Sequence, residues 1–307
     1  MIAYSIFDDF TPEAMGILEA SGVKVTIHPL GVPRPDDAQM KSILENYDCV
    51  IIGTSQKITE DMFSDVNSPR IIATASVGLD HIHIPEDKKE LVRIINTPTA
   101  NARSVAEFTF SCALCCVKRL REGSELYRQG KNNKSLSKKP EDLFGKTIGV
   151  IGAGNISVQI MEYARFFGMQ VLCYTRNRSL HSELPSKGVR FVSLEDLAVN
   201  SDVISVNIPS NAGTKGLISD AFIRKTKEDC VFISISRLDT VDADCLIKKA
   251  QACPNFYVCL DADVDQELVN RLPNLPNIII TPHIAGGTVE TRKRMFRELA
   301  LGITKLH

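Results

Sequence analysis

Residues 147–157 constrain this chain more than any other stretch. Thr147-Ile148-Gly149-Val150-Ile151 is a short apolar run that passes directly into Gly152-Ala153-Gly154-Asn155-Ile156-Ser157. From there Ile156, Ile160, Met161, Ala164 and Phe167 recur at helical spacing, Gly168 ends the helix, and 169–174 returns to a strand pattern. A glycine pair alone is a weak signal. Set between a strand and a helix, inside a βαβ unit of this length, it becomes specific. The glycines let the backbone turn tightly and approach a pyrophosphate, whose charge faces the helix N-terminus. Gly152, Gly154, Asn155 and Ile156 are therefore candidate dinucleotide contacts, and the unit predicts a parallel α/β sheet.

The rest of the chain extends that pattern. Apolar strands are predicted at 2–7, 23–27, 49–52, 70–75 and 93–95. Helices are predicted to start at Thr11-Pro12, run near 35–45, and begin again at Thr59. A long helix is predicted over 104–128, followed by a basic connector (129–140) that reads as a solvated segment because Glu141 and Asp142 follow at once. Helices alternating with short apolar strands imply parallel sheets covered on both faces. At 307 residues the chain exceeds one ordinary core, so two domains are expected.

Composition excludes several classes. The net charge of −1 offers no attraction for nucleic acid or an anionic membrane. No apolar run approaches the roughly 20 residues of a bilayer span, and the N-terminus reads as strand and turn rather than a signal peptide. A cytoplasmic protein is the expectation. Nine cysteines lie mostly in apolar runs, where free thiols pack as small hydrophobes. Cys112 and Cys115 imitate C-x-x-C, but no second ligand pair accompanies them, so no metal is expected.

Two details of the nucleotide unit stand out. Ser157 occupies the third glycine position of the fingerprint, small enough to pack closely but able to loosen the helix–strand contact. At the end of the second strand stands Tyr174-Thr175-Arg176-Asn177-Arg178, without the carboxylate that would bind a ribose 2′-hydroxyl. Thr175 can donate to a phosphate and Arg176 or Arg178 can pair with one, which favours NADP over NAD.

Further motifs follow in order: Val77-Gly78-Leu79-Asp80; Asn96-Thr97-Pro98, Asn101 and Ser104-Val105-Ala106-Glu107; Ser234-Ile235-Ser236-Arg237 with Val241-Asp242; and Thr281-Pro282-His283-Ile284-Ala285-Gly286-Gly287-Thr288. In this order and spacing, over about 71–288, the chain resembles the D-isomer-specific 2-hydroxyacid dehydrogenases. That group includes phosphoglycerate dehydrogenase and glyoxylate/hydroxypyruvate reductase. The resemblance implies two doubly wound parallel-sheet domains. A Rossmann NAD(P)-binding domain (99–287) is inserted into a flavodoxin-like substrate domain (1–98, completed by 288–307), with the active cleft at the hinge. It also implies a homodimer through the long helices.

By the same resemblance Arg237 is the cation for a substrate carboxylate and His283 the acid/base. These residue types suit the chemistry, because a guanidinium stays charged and forked while an imidazole exchanges protons near neutrality. Ser55, Val77, Gly78 and Asn101 are implied substrate contacts, with Lys57 a candidate for a distal anionic group. Ile208, Pro209, Thr214, Ile235, Asp261, His283 and Gly286 join the dinucleotide contacts.

The family's Glu, which orients the histidine, lies 29 residues after the arginine, and that count lands on Gln266. Either Gln266 itself partners His283 without charge, or a slip in the loop brings Glu267 or Asp265 onto it. Leu238 follows Arg237 where a glycine is usual and is expected to crowd the cleft. His81 and His83 replace turn residues, and a structural role is preferred to a metal site for them. Arg292, Lys293, Arg294 and Arg297 read as a solvated helix face. The expected function is hydride transfer between a nicotinamide and a small 2-keto or D-2-hydroxy acid. Two alternatives stay open: a dinucleotide-binding corepressor or scaffold, and a dehydrogenase of formate or phosphite.

Overall fold

A computed structural model describes residues 1–63 and 69–307. The chain forms two compact units, 1–101 with 288–307, and 102–287. The first crossing between units, expected at 98/99, falls after Asn101.

The first unit is a five-stranded parallel sheet. Its strands are β1 (Ile2–Ser5), β2 (Lys24–Ile27), β3 (Cys49–Ile52), β4 (Ile71–Thr74) and β5 (Arg93–Ile95), in spatial order β2-β1-β3-β4-β5. This is the flavodoxin-like order. Every residue of β3 and β4 is buried, as expected of inner parallel strands covered on both faces. Helix α1 (Pro12–Ala20) starts where Thr11 accepts from the Ala14 N–H at 3.4 Å. Helix α2 (Asp37–Asn46) begins at a reciprocal Asp36–Gln39 capping box, two residues after the expected start at Pro35. Thr59 opens only a single turn, Glu60–Met62; the continuation expected there falls on 64–68, outside the described residues.

In the second unit the predicted single helix over 104–128 is broken. It forms α3 (Ala102–Val117) and α4 (Leu120–Arg128), with Arg119 between them in the left-handed region at φ 57°. The break has a visible cause. The buried Arg119 guanidinium donates to Tyr257 Oη at 2.9 Å and Asn255 Oδ1 at 2.8 Å, and the chain turns to let it. The basic connector (129–140) is exposed over most of its length, as expected of a solvated segment; within it Lys138 is paired with Glu141 and Asp229, and Glu141 also contacts Lys146.

Seven parallel strands follow: β6 (Thr147–Ile151), β7 (Gln170–Tyr174), β8 (Val189–Phe191), β9 (Val203–Val206), β10 (Val231–Ser234), β11 (Tyr257–Ala262) and β12 (Ile278–Pro282). Their order is β12-β11-β10-β9-β6-β7-β8, so the winding reverses between β6 and β9. Helices α5 (Asn155–Phe166), α6 (Leu194–Asn200), α7 (Asp220–Lys225), α8 (Ala243–Ala252) and α9 (Gln266–Arg271) complete the unit. Alternate residues serve opposite cores. Val231, Ile233, Tyr257 and Cys259 join one, with Phe110 and Ile160; Phe232, Val258 and Leu260 join the other, with Leu246 and Phe256.

The chain then returns to the first unit as α10 (Val289–Thr304), where Phe296 packs on Phe10 and Phe7 at ring separations of 4.7 and 5.1 Å. The basic residues of α10 are not merely solvated. Arg292 pairs with Asp9, Arg297 with Glu13 at 3.0 Å, and Arg294 donates to the Ala100 carbonyl at 2.7 Å. All nine cysteines are free thiols. Among the described residues no helix is long and apolar enough to cross a membrane.

Candidate active site

The glycine loop sits where the sheet reverses, at the carboxyl ends of β6 and β9, the place where doubly wound sheets hold ligands. Gly152 has φ 105°, and a Cβ there would stand 2.6 Å from the Asn207 carbonyl oxygen. Only glycine fits both demands. Gly154 is the N-cap of α5 and contributes no side-chain cap, so the positive end of that helix faces the loop, where a phosphate charge is favoured. This cradle fits a dinucleotide pyrophosphate. Ser157 is fully buried at the helix–strand contact, so it has not opened the packing; its Oγ has no partner among the described residues.

Around the loop the remaining candidates have unequal freedom. Ile208 and Pro209 follow β9, and the Ile208 N–H donates to Ser236 Oγ at 3.0 Å. Thr214 is buried and its hydroxyl closes its own loop onto the Pro209 carbonyl at 2.5 Å, so it shapes the rim instead of facing a ligand. Ile235 is half-buried beyond β10. After β7, Arg178 donates to the Val192 carbonyl at 2.9 Å and lies over the Phe191 ring. Arg176 is exposed and crosses Gly213, where a Cβ would meet its guanidinium nitrogen at 2.5 Å.

Three neighbouring strands, β10, β11 and β12, each deliver one polar residue at their carboxyl ends. They are Arg237, Asp263 and His283. Asp263 Oδ1 lies 2.7 Å from His283 Nδ1, and its Oδ2 lies 3.3 Å from Arg237 Nη1. The hydrogen bond from His283, reinforced by the charges of His283 and Arg237, holds the Asp263 carboxyl below the usual carboxylate range. His283 itself has φ 52°, an uncommon conformation for a side chain with a Cβ.

Asp261 holds the histidine's turn in place. It is buried, and its oxygens accept from Thr281 Oγ1 at 2.6 Å and from the Ile284 and Ala285 N–H groups at 2.8 Å each. Expected as a dinucleotide contact, it is committed to this turn, in which Gly286 is half-buried.

In the first unit Val77 and Gly78 follow β4. Asn96 Nδ2 donates to the Val77 carbonyl at 2.8 Å, and Ser76 Oγ to that of Gly78 at 2.7 Å. Ser55 follows β3 and bonds Arg34, a residue the sequence reading passed over. Asn101 has a buried Oδ1 without a partner among the described residues. His81 is a core histidine, hydrogen-bonded to Thr74 Oγ1 at 2.9 Å, while His83 is exposed.

A family model described as "D-isomer specific 2-hydroxyacid dehydrogenase, NAD binding domain" matches residues 110–285. The chain is 31% identical over 271 residues to the hydroxypyruvate reductase of Thermotoga maritima, covering 87% of each. The chain belongs to the D-isomer-specific 2-hydroxyacid dehydrogenases. It is also 29% identical to a glyoxylate reductase of Thermofilum pendens, over 88% of this chain and 81% of that one. Among solved structures, the D-lactate dehydrogenase of Aquifex aeolicus, complexed with NAD and lactic acid, aligns with a TM-score of 0.79 and 27% identity. That alignment covers all of this chain and 95% of the other.

Within this dehydrogenase the expected partner of His283 is corrected. Gln266 Nε2 points along α9 to Asn270 Oδ1 at 3.1 Å, and Asp265 Oδ1 caps the same helix through the Glu267 and Leu268 N–H groups. Helix α9 starts immediately after its Asp265 cap, which carries Gln266 and Glu267 onto helical backbone. The bond to His283 is made from the preceding loop, by Asp263. Leu238 is half-buried: it packs against the core that contains Val241 and Leu246, and it lines a cavity together with Asp263 and Thr281.

Proposed function

We propose that this dehydrogenase reduces small 2-keto acids to D-2-hydroxy acids, with Arg237 gripping the carboxylate and His283 supplying the proton. The observation that carries the reading is the convergence of Arg237 and His283 on one carboxylate at adjacent strand ends. A forked cation beside an imidazole suits an α-keto carboxylate, whose charge needs a fixed counter-ion while its carbonyl oxygen needs a proton. His283 Nε2 gives that proton as the oxygen becomes a hydroxyl; in the reverse direction it takes the proton back. A nicotinamide dinucleotide held at the Gly152–Gly154 loop would supply the hydride for the keto carbon, and would take it back in the reverse direction. Arg237 holds the carboxylate throughout, so the reacting carbon keeps its position. Ser55, Val77, Gly78 and Asn101 complete the proposal as substrate contacts on the first unit.

NADP(H) is the proposed cofactor. Thr175 and Arg176 follow β7 in place of an acidic residue, and Arg178 is committed elsewhere. A cytoplasmic homodimer is proposed as well.

The test is oxidation of NADPH and of NADH against glyoxylate, hydroxypyruvate, pyruvate, phosphonopyruvate and longer 2-keto acids. Turnover of at least one acid is expected, faster with NADPH. Tight dinucleotide binding with no turnover would replace this reading with a sensor or scaffold.

A further inference from the structure

We infer that Asp263 is the positioning carboxylate of this site, taking over the task that family resemblance assigns to position 266, and that it also holds Arg237 until a substrate carboxylate arrives. The inference rests on the proposed roles of Arg237 and His283.

Three observations carry it. First, position 266 is neutral in this chain and its amide is engaged with Asn270 on α9. Second, Asp263 Oδ1 is at hydrogen-bond distance from the ring nitrogen distal to Nε2. An ionised carboxylate has no proton to give, so Nδ1 must carry it, and Nε2 is left to meet the substrate. Third, the other oxygen of the same carboxylate faces Arg237 Nη1. One side chain therefore aligns the acid/base and the carboxylate-binding cation.

Other charged groups near the histidine in this unit do not compete. On β11, Asp261 is occupied by Thr281, Ile284 and Ala285; in the following loop, Asp265 caps α9. Glu267 lies in the first turn of α9, and Arg237 approaches from the loop after β10.

The charge of Asp263 has a direction of effect. Its carboxyl is held below the ordinary range, so it stays ionised wherever an imidazole titrates and favours the imidazolium form. Reduction needs the protonated ring, so loss of the charge at position 263 is expected to move activity toward lower pH.

The experiment is a pH titration of the histidine ring nitrogens by NMR in the full chain, with the His283 signals assigned by loss in H283Q. It is run on wild type, D263N, Q266E and E267Q, alongside pH profiles of kcat and KM for a reduced keto acid. The expected result is a downward midpoint shift in D263N alone, Nδ1 protonated in wild type, and no shift in Q266E or E267Q. The kinetic counterpart is a lower kcat with its pH profile moved to lower pH; mere structural damage would lower kcat without moving the profile. The D263E variant, which keeps the charge, recovers the wild-type midpoint. A midpoint unmoved by D263N, or moved by E267Q or Q266E, overturns the inference. Failure of wild type to reduce any keto acid rejects the proposed reaction, and the NMR titration still decides who holds His283.

Discussion

Arg176 is the residue to which the proposed NADP(H) preference is assigned. Its exposed guanidinium crosses Gly213, while Arg178 is held by the Val192 carbonyl and Phe191. A charge-assisted hydrogen bond to a 2′-phosphate contributes about 1.5–3 kcal/mol. R176A is therefore expected to lose roughly 10–100-fold in kcat/KM for NADPH and little for NADH. Equal losses with both cofactors would assign the preference to another residue. Gly152 was legible from sequence alone, because a strand-to-helix turn at close backbone approach leaves no alternative residue. Asp263 was not. Counting from Arg237 assumes a fixed loop length after β11, and the Asp265 cap that starts α9 decides instead which side chain remains beside the histidine.

At the scale of elements, the sequence pattern located the five strands of the first unit, the first two of the second, and helices α1, α2 and α5 within a few residues, since buried parallel strands need apolar runs; β8 to β12 and α6 to α9 were not resolved individually. It failed at α3 and α4. Apolar periodicity continues through residue 119, and nothing local announces a left-handed arginine. The cause lies more than a hundred residues away, at Tyr257 and Asn255. R119A leaves those buried groups without their donor, which is expected to cost about 2–4 kcal/mol. Urea unfolding measures it, and a change within experimental error would mean that the break is held by something else.

For the whole molecule, the first unit is assembled from both ends of the chain, with α10 packed among α1 and the strands. Phe296 is fully buried against Phe7 and Phe10. F296A is expected to destabilise that unit by about 3–5 kcal/mol. Dinucleotide affinity, carried by the other unit, is expected to stay within about twofold of wild type in a fluorescence titration. A large loss of affinity would show that the units do not hold their folds separately.

The discontinuous first unit has a consequence for biosynthesis. Its five strands are made first, yet the helix that covers Phe7 and Phe10 is encoded after Thr288, nearly two hundred residues beyond Asn101. At ordinary elongation rates the ribosome needs roughly 10–40 s to cross that distance. The inserted unit can complete its own core during that interval, so the half that emerges first matures last. During synthesis its uncovered aromatic face is the surface a chaperone would meet.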